Sequence, residues 1–255
     1  MEYLILGPVE VRDRDTVTPL DGAKQRTVLA ALLLADGRLV ADAELSGLLW
    51  GTRPPATFTA QIYNHVSRLR KALGPGAGIV RRSPGYQLAD GGGRLDLREF
   101  ERLAAAGQNA LRAGRHAEAG ELIRRGLALW RGPALADVSE HLAAAEAPRL
   151  EEARCVALEG LVEAELALGR HDRVLPELTG LVARYPLRER FQALLMTALY
   201  RCDRQAEALA VFDRSRRMLA EDLGLEPGRL LREVQRAILT GDPAPLGPAG
   251  LMTAS

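Results

Sequence analysis

Apolar positions recur along this chain with two different periods, and the switch between them divides it. Residues 3–6, 9–12 and 16–18 are short β-leaning segments separated by Gly7-Pro8 and by the polar run Asp13-Arg14-Asp15, which predicts a small antiparallel sheet. A helical period then takes over. Val28, Leu29, Leu32 and Leu33 form a stripe on a helix over 22–35, with Asp21 as its cap and Asp36-Gly37 as its stop. Asp42 is placed to cap a second helix that runs through Trp50, with Leu45, Leu48 and Leu49 inward and Trp50 closing the apolar end before Gly51. Pro54-Pro55 separates that helix from a third over 57–73.

The third helix organises the N-terminal part. At about 100° per residue, Ile62, Val66, Leu69 and Leu73 stack on one side. Ala60, Asn64, Ser67, Arg68 and Lys71 fall near the other, flanked by Gln61, Tyr63 and Arg70. Thr57 or Thr59 is available to cap its start, and Gly74-Pro75 ends it. Beyond it the period returns to two: Ile79 to Arg82 and Tyr86 to Leu88 flank the turn Ser83-Pro84-Gly85, the pattern of a hairpin. A sheet, three helices and a hairpin describe a winged helix-turn-helix.

Charge changes the meaning of this pattern. Between Leu45 and Ala89 there is no Asp or Glu, while Arg53, Arg68, Arg70, Lys71, Arg81 and Arg82 are all present. A surface cleared of carboxylates suits a polyanion. A solvated basic face on a structural helix is the plainer reading of the helix alone, as edge-strand charge is for the hairpin arginines. The net charge of +1 conceals a small positive excess in residues 1–96 and a remainder of mixed sign.

After Asp90-Gly91-Gly92-Gly93, which reads as a linker, the chain is almost wholly helical. Apolar residues at helical spacing run through Phe100, Leu103 and Leu111, then Leu122, Ile123, Leu127 and Leu129, with a turn at Ala113-Gly114-Arg115 between the two groups. Pro148 is expected to open a longer helix ending at Gly169. The tripeptide Gly-Arg-His occurs at 114–116 and again at 169–171, each time between two helices, and Cys202-Asp203-Arg204-Gln205 forms a related turn. The interval from His171 to Gln205 matches the period of about 34 residues of tetratricopeptide-like helical hairpins. Extra residues around 132–148 make the array irregular, a helix over 228–240 caps it, and the last residues read as a disordered tail. Such arrays serve partners, or else form a bundle that only dimerises the chain. The expected architecture is mainly α: a winged domain over 1–93, an all-α repeat domain over 94–243, and a tail over 244–255.

Composition bears mostly on what to exclude. At 255 residues and 47% hydrophobic the chain can build two cores, and with 4% aromatics they must rest on Leu, Val and Ala. Only two of the 34 basic residues, Lys24 and Lys71, are lysine, a mark of GC-rich coding rather than of mechanism. Cys155 and Cys202 sit in apolar helical patterns and read as reduced core thiols. His65, His116, His141 and His171 stand singly, without metal-ligand spacing. The run Gly74 to Gly78 supplies no lysine for a phosphate loop, Ser46 and Ser83 lack a nucleophile elbow, and Glu151-Glu152 lies among arginines on a surface face. No enzyme, cofactor, metal or membrane function is expected, and a cytoplasmic location is.

The run His65-Val66-Ser67-Arg68-Leu69-Arg70-Lys71-Ala72-Leu73, followed by Arg82-Ser83-Pro84-Gly85-Tyr86, resembles the DNA-binding domain of OmpR-type response regulators. In that family the matching helix enters the major groove and the hairpin is the wing. The resemblance implies that Asn64, Ser67 and Arg68 face bases and that Arg70 and Lys71 favour phosphates. Arg53, Thr59, His65, Arg81, Arg82 and Tyr86 complete the expected DNA-binding set. Gln87 stands where the family often has a basic residue, which removes one minor-groove contact. No receiver domain precedes the winged pattern, so control by aspartyl phosphorylation is not expected. Leu219-Ala220-Glu221-Asp222-Leu223-Gly224-Leu225-Glu226-Pro227 and the Tyr185-Pro186-Leu187-Arg188-Glu189 corner resemble the bacterial transcriptional activator domain.

Together, over residues 1–243, the halves look like a short member of the Streptomyces antibiotic regulatory protein family, without the ATPase module of larger members. The resemblance implies an activator of a secondary-metabolite gene cluster. It would bind double-stranded DNA at direct repeats, self-associate there, and recruit RNA polymerase holoenzyme through the sigma factor or alpha subunit at the nucleoid. A repressor, or an adaptor whose helical half binds a protein or small-molecule signal, are the other readings. A fragment ending at Ala89 is expected to keep some DNA binding.

Overall fold

The computed structural model describes residues 1–14, 16–74, 78–89 and 93–242. Strands β1 (Glu2–Leu4), β2 (Glu10–Asp13) and β3 (Thr16–Thr18) form the expected antiparallel meander. A fourth strand not anticipated from the sequence, β7 (Arg94–Leu95), pairs in parallel with β1 and gives the order β3-β2-β1-β7. Helices α1 (Gly22–Leu34), α2 (Asp42–Trp50) and α3 (Phe58–Leu73) pack on one another. The hairpin β5 (Ile79–Arg82) and β6 (Gly85–Leu88) joins a two-residue strand, β4 (Val40–Ala41), in a second sheet of order β4-β6-β5.

The stripes predicted from periodicity are the buried ones. Val28, Leu29, Leu32 and Leu33 of α1 and Ile62, Val66, Leu69 and Leu73 of α3 are all buried. Trp50 is only half-buried and carries the Lys24 ammonium 4.9 Å above its ring. The caps differ from expectation. Asp21 stands at the N-cap of α1 without a side-chain bond, and its own N–H donates to Gln25 Oε1 at 2.6 Å. Thr57 occupies the N-cap of α3 but accepts from Gln61 Nε2 rather than from a backbone amide. Asp42 is the first helical residue of α2, its carboxylate used elsewhere.

The helical part comprises α4 (Asp96–Arg112), α5 (His116–Leu127), α6 (Glu140–Ala167), α7 (His171–Arg184), α8 (Glu189–Arg201), α9 (Gln205–Leu223) and α10 (Arg229–Thr240). Helix α6 starts two turns before Pro148, which lies inside it. Ser139 Oγ accepts the Leu142 N–H at 3.2 Å, and the alanine-rich run after it favours helix strongly enough to absorb the one bond the proline forfeits. The three repeated turns close alike. The N–H groups of Arg115, Arg170 and Arg204 donate back to the carbonyls of Ala110, Glu165 and Leu199 at 2.9, 3.0 and 2.9 Å, the outer bond of a Schellman motif. The recurring tripeptide is thus a helix stop joined to a helix start. Cys155 is buried and Cys202 half-buried, and neither forms a disulfide.

Two compact units result, and they do not divide at residue 93. The first combines Met1–Leu103 with Arg125–Cys155, and the second combines Ala104–Arg124 with the chain from Val156 onward. In the second, α8 packs against α7, α9 and α10, and every residue from 191 to 199 is buried, which makes it the central helix. The corner and the loop that carry the activator-domain resemblance meet there: Glu189 Oε2 accepts the Gly228 N–H at 2.7 Å. Residues 90–92 of the expected linker and the expected tail lie outside the described residues.

Candidate nucleic-acid interface

Helix α3 buries four apolar side chains and exposes its opposite face. Thr59, Asn64, Ser67, Arg68 and Lys71 are exposed, as is Arg53 on the approach to the helix. Among the described residues no carboxylate pairs with Arg53, Arg68, Lys71 or Arg82. Four exposed cations of the acid-free window therefore have no internal counter-ion, and such cations are electrostatically prepared for phosphates.

The wing is held by the start of α2. The Asp42 N–H donates to the Pro84 carbonyl at 2.9 Å, and its carboxylate takes both Arg81 nitrogens at 2.6 Å. The Arg81 guanidinium lies 4.6 Å over the Tyr86 ring, and the bond to Asp42 raises its already high pKa. Arg81 therefore braces the wing, and Arg82, exposed beside it, is the wing cation left for a ligand. Tyr86 is only 3% exposed, so its ring is a floor for Arg81 and not a contact surface. Arg70 is half-buried, and its Nε donates to the Ile79 carbonyl at 2.9 Å, tying α3 to β5. That bond commits its Nε to the hairpin. Gln87 donates to the Gly37 carbonyl at 2.6 Å and points away from the minor-groove role.

Gly85 makes this anchoring possible. A Cβ there would fall 2.0 Å from the Val40 carbonyl oxygen, so β4 and β6 approach only because the position carries none. Gly85→Ala is expected to separate the two strands and cost roughly 1–3 kcal/mol, read as a lower melting temperature with helix content retained. A variant that melts with the wild type would show that the close approach is not a constraint.

His65 is half-buried. Burial, then Lys24, then Arg68 hold its pKa below the ordinary imidazole value, so it is a neutral hydrogen-bonding group at neutral pH. Lys24 was not singled out from sequence. It lies on α1, outside the acid-free window, and only the packing of α1 on α3 brings its charge beside His65. Tyr63 is 60% exposed on the flank of the outer face, an orientation the helical wheel signals but does not rank.

A winged helix-turn-helix whose third helix carries no carboxylate, joined to tetratricopeptide-like helices, defines a class of transcription regulators. The bacterial transcriptional activator domain family matches residues 95–239. The chain belongs to the Streptomyces antibiotic regulatory protein family of transcriptional activators. It is 37% identical to the regulatory protein DnrI of Streptomyces peucetius over 95% of this chain and 93% of that protein. It is 44% identical to the regulatory protein AfsR of Streptomyces coelicolor over 96% of this chain but 25% of that protein, so it spans about a quarter of AfsR's length. The structure of Mycobacterium tuberculosis EmbR, solved in complex with a low-affinity phosphopeptide, is similar with a TM-score of 0.89 and 35% identity, covering 99% of this chain and 68% of that one. Among the described residues no helix is long and apolar enough to cross a membrane, and no cluster of potential metal ligands occurs.

Proposed function

We propose that this chain activates a secondary-metabolite gene cluster by binding direct repeats in double-stranded nucleoid DNA, self-associating there, and recruiting RNA polymerase holoenzyme through the sigma factor or alpha subunit. The observation that carries the DNA-binding part is the exposed row Asn64, Ser67, Arg68 and Lys71 on α3, free of carboxylates and beside the anchored wing. Asn64, Ser67 and Arg68 read base edges in the major groove. Lys71, Arg53 and Arg82 hold phosphates, and Thr59 and the neutral His65 add hydrogen bonds at the margin. The helical repeats supply the surface for the second protomer or for polymerase.

Two substitutions divide these roles. Arg68→Ala is expected to relax sequence preference by about 1–3 kcal/mol at one position, the value of a bidentate arginine–guanine contact. Lys71→Ala is expected to weaken all sequences evenly and lower the salt slope of log K by about one unit. Selection of genomic fragments by the purified protein, beside both variants at fixed salt, tests the reading. A repeated motif upstream of a gene cluster, blurred by Arg68→Ala and merely weakened by Lys71→Ala, is the expected result. Unselective binding by the wild type, or one uniform loss in both variants, would overturn it.

A further inference from the structure

Residues 131–141 fall within the activator-domain match, yet they are built into the first compact unit. The N–H groups of Arg131, Leu135 and Ala136 donate to the carbonyls of Leu6, Ile5 and Gly7 at 2.8, 3.0 and 3.3 Å. The Val9 N–H returns to Asp137 at 2.7 Å, and Asp137 pairs with Arg26 of α1 at 3.1 Å. The chain then reaches the helix-turn-helix itself. The Ser139 N–H donates to Thr27 Oγ1 of α1 at 2.8 Å. Thr27 spends its own proton on the Ala23 carbonyl at 2.8 Å, so the polarity of this relay has one direction. The Ser139 hydroxyl donates to the Leu48 carbonyl of α2 at 2.5 Å. That carbonyl is among the last of α2, where no amide of the next turn is available to it.

Two residues further on, the His141 imidazole lies against Gly51, the first residue after α2 on the way to α3. Gly51 has φ +61°, and a Cβ on it would come within 2.6 Å of His141 Cε1. One turn of chain thus grips α1, the end of α2 and the bend that aims the recognition helix.

We infer that Ser139 and His141 are positioning residues for DNA readout: they touch no DNA and act by fixing the bend at Gly51 against α1. This rests on the DNA-binding reading above. A recognition helix reads bases only if its angle to the phosphate-contacting surface is held, since a small misplacement costs base contacts before it costs phosphate contacts. Loss of the brace should therefore separate specific from non-specific binding, which a general loss of folded protein cannot do.

The test uses the full chain with Ser139→Ala, His141→Ala and the hydroxyl-retaining Ser139→Thr. Amide hydrogen exchange over residues 51–57 is measured alongside affinity for a selected fragment and for an unrelated duplex at one salt concentration, scaled by the folded fraction. Each alanine variant is expected to exchange about tenfold faster at 51–57, the result of losing one net hydrogen bond or its packing equivalent. The ratio of specific to non-specific affinity is expected to fall about five- to tenfold, with non-specific affinity unchanged and Ser139→Thr restoring the ratio. Unaltered exchange at 51–57, or a wild-type ratio in both alanine variants, overturns the brace. A wild-type protein that does not discriminate between the two duplexes overturns the DNA-binding reading, and the readout role falls with it.

Discussion

Asp96→Ala is expected to destabilise the first compact unit by about 3–5 kcal/mol, a large fraction of the stability of any domain this size. The Asp96 carboxylate is buried and accepts the Ile5 N–H on both oxygens at 2.9 Å, the Leu6 N–H at 2.9 Å and the Leu97 N–H at 2.8 Å. Arg131 Nη2 stands 3.9 Å away. Burial pushes the carboxyl above its ordinary range, while the three amides and Arg131 pull it back. Ile5 and Leu6 are fully buried, so water cannot replace the lost acceptor, and the start of α4 also loses a negative charge. Urea unfolding of Asp96→Ala beside Asp96→Asn is the check. The asparagine keeps an acceptor and should retain part of the loss, whereas a deficit below about 1 kcal/mol in the alanine variant would show that these bonds contribute no more than an ordinary exposed one.

The same contacts revise the expectation for a fragment ending at Ala89. It would lack Asp96, Arg131 and Asp137, which satisfy the amides of Ile5, Leu6 and the carbonyl of Pro8 and the amide of Val9. Such a fragment is not expected to hold the winged fold, and DNA binding is better tested in the full chain.

Arg190→Ala is expected to cost the second unit about 3–5 kcal/mol near neutral pH, because it strands a buried charge. Glu159 and Glu163, one turn apart on α6, have side chains only 7% exposed. Arg190 reaches Glu163 at 2.6 Å and Glu159 at 3.5 Å, and Arg188 reaches Glu159 at 2.5 Å. Burial is the main cause that raises the Glu163 pKa, with Arg190 opposing it and Glu159 adding to it. Removing Arg190 drives that pKa further up. Between the unfolded value and the raised folded one, the folded state then holds more protons than the unfolded state. Stability therefore falls as pH rises through that window and is regained as pH falls. The deficit of Arg190→Ala should be larger at pH 8 than at pH 5 in thermal melts. An equal deficit at both would mean that Glu163 remains protonated throughout or finds another cation.

What the sequence determined by itself is whatever depends on short-range periodicity. The stripe Ile62, Val66, Leu69 and Leu73, the hairpin around Ser83-Pro84 and the Gly-Arg-His helix stops are local patterns, and each element formed where its pattern lies. The carboxylate-free window likewise needed no fold to be seen, because the absence of a residue type is a property of the string. Tertiary structure decided the partners. Asp21 and Asp42 look alike as helix starts, but only Asp42 meets an arginine from a strand 39 residues away, which takes its carboxylate off cap duty. Arg70 and Tyr86 lie in the same runs as Arg68 and Arg82, yet folding tied the first to β5 and buried the second, while Arg81, still exposed, was paired with Asp42. Pro148 marks a helix start in one dimension, whereas Ser139, bonded to α1 and α2, moved that start upstream. The attachment of residues 131–141 to the winged unit left no trace in the sequence. Long-range hydrogen bonds are made by ordinary serine, aspartate and backbone groups, whose identity says only that they can bond and never with what.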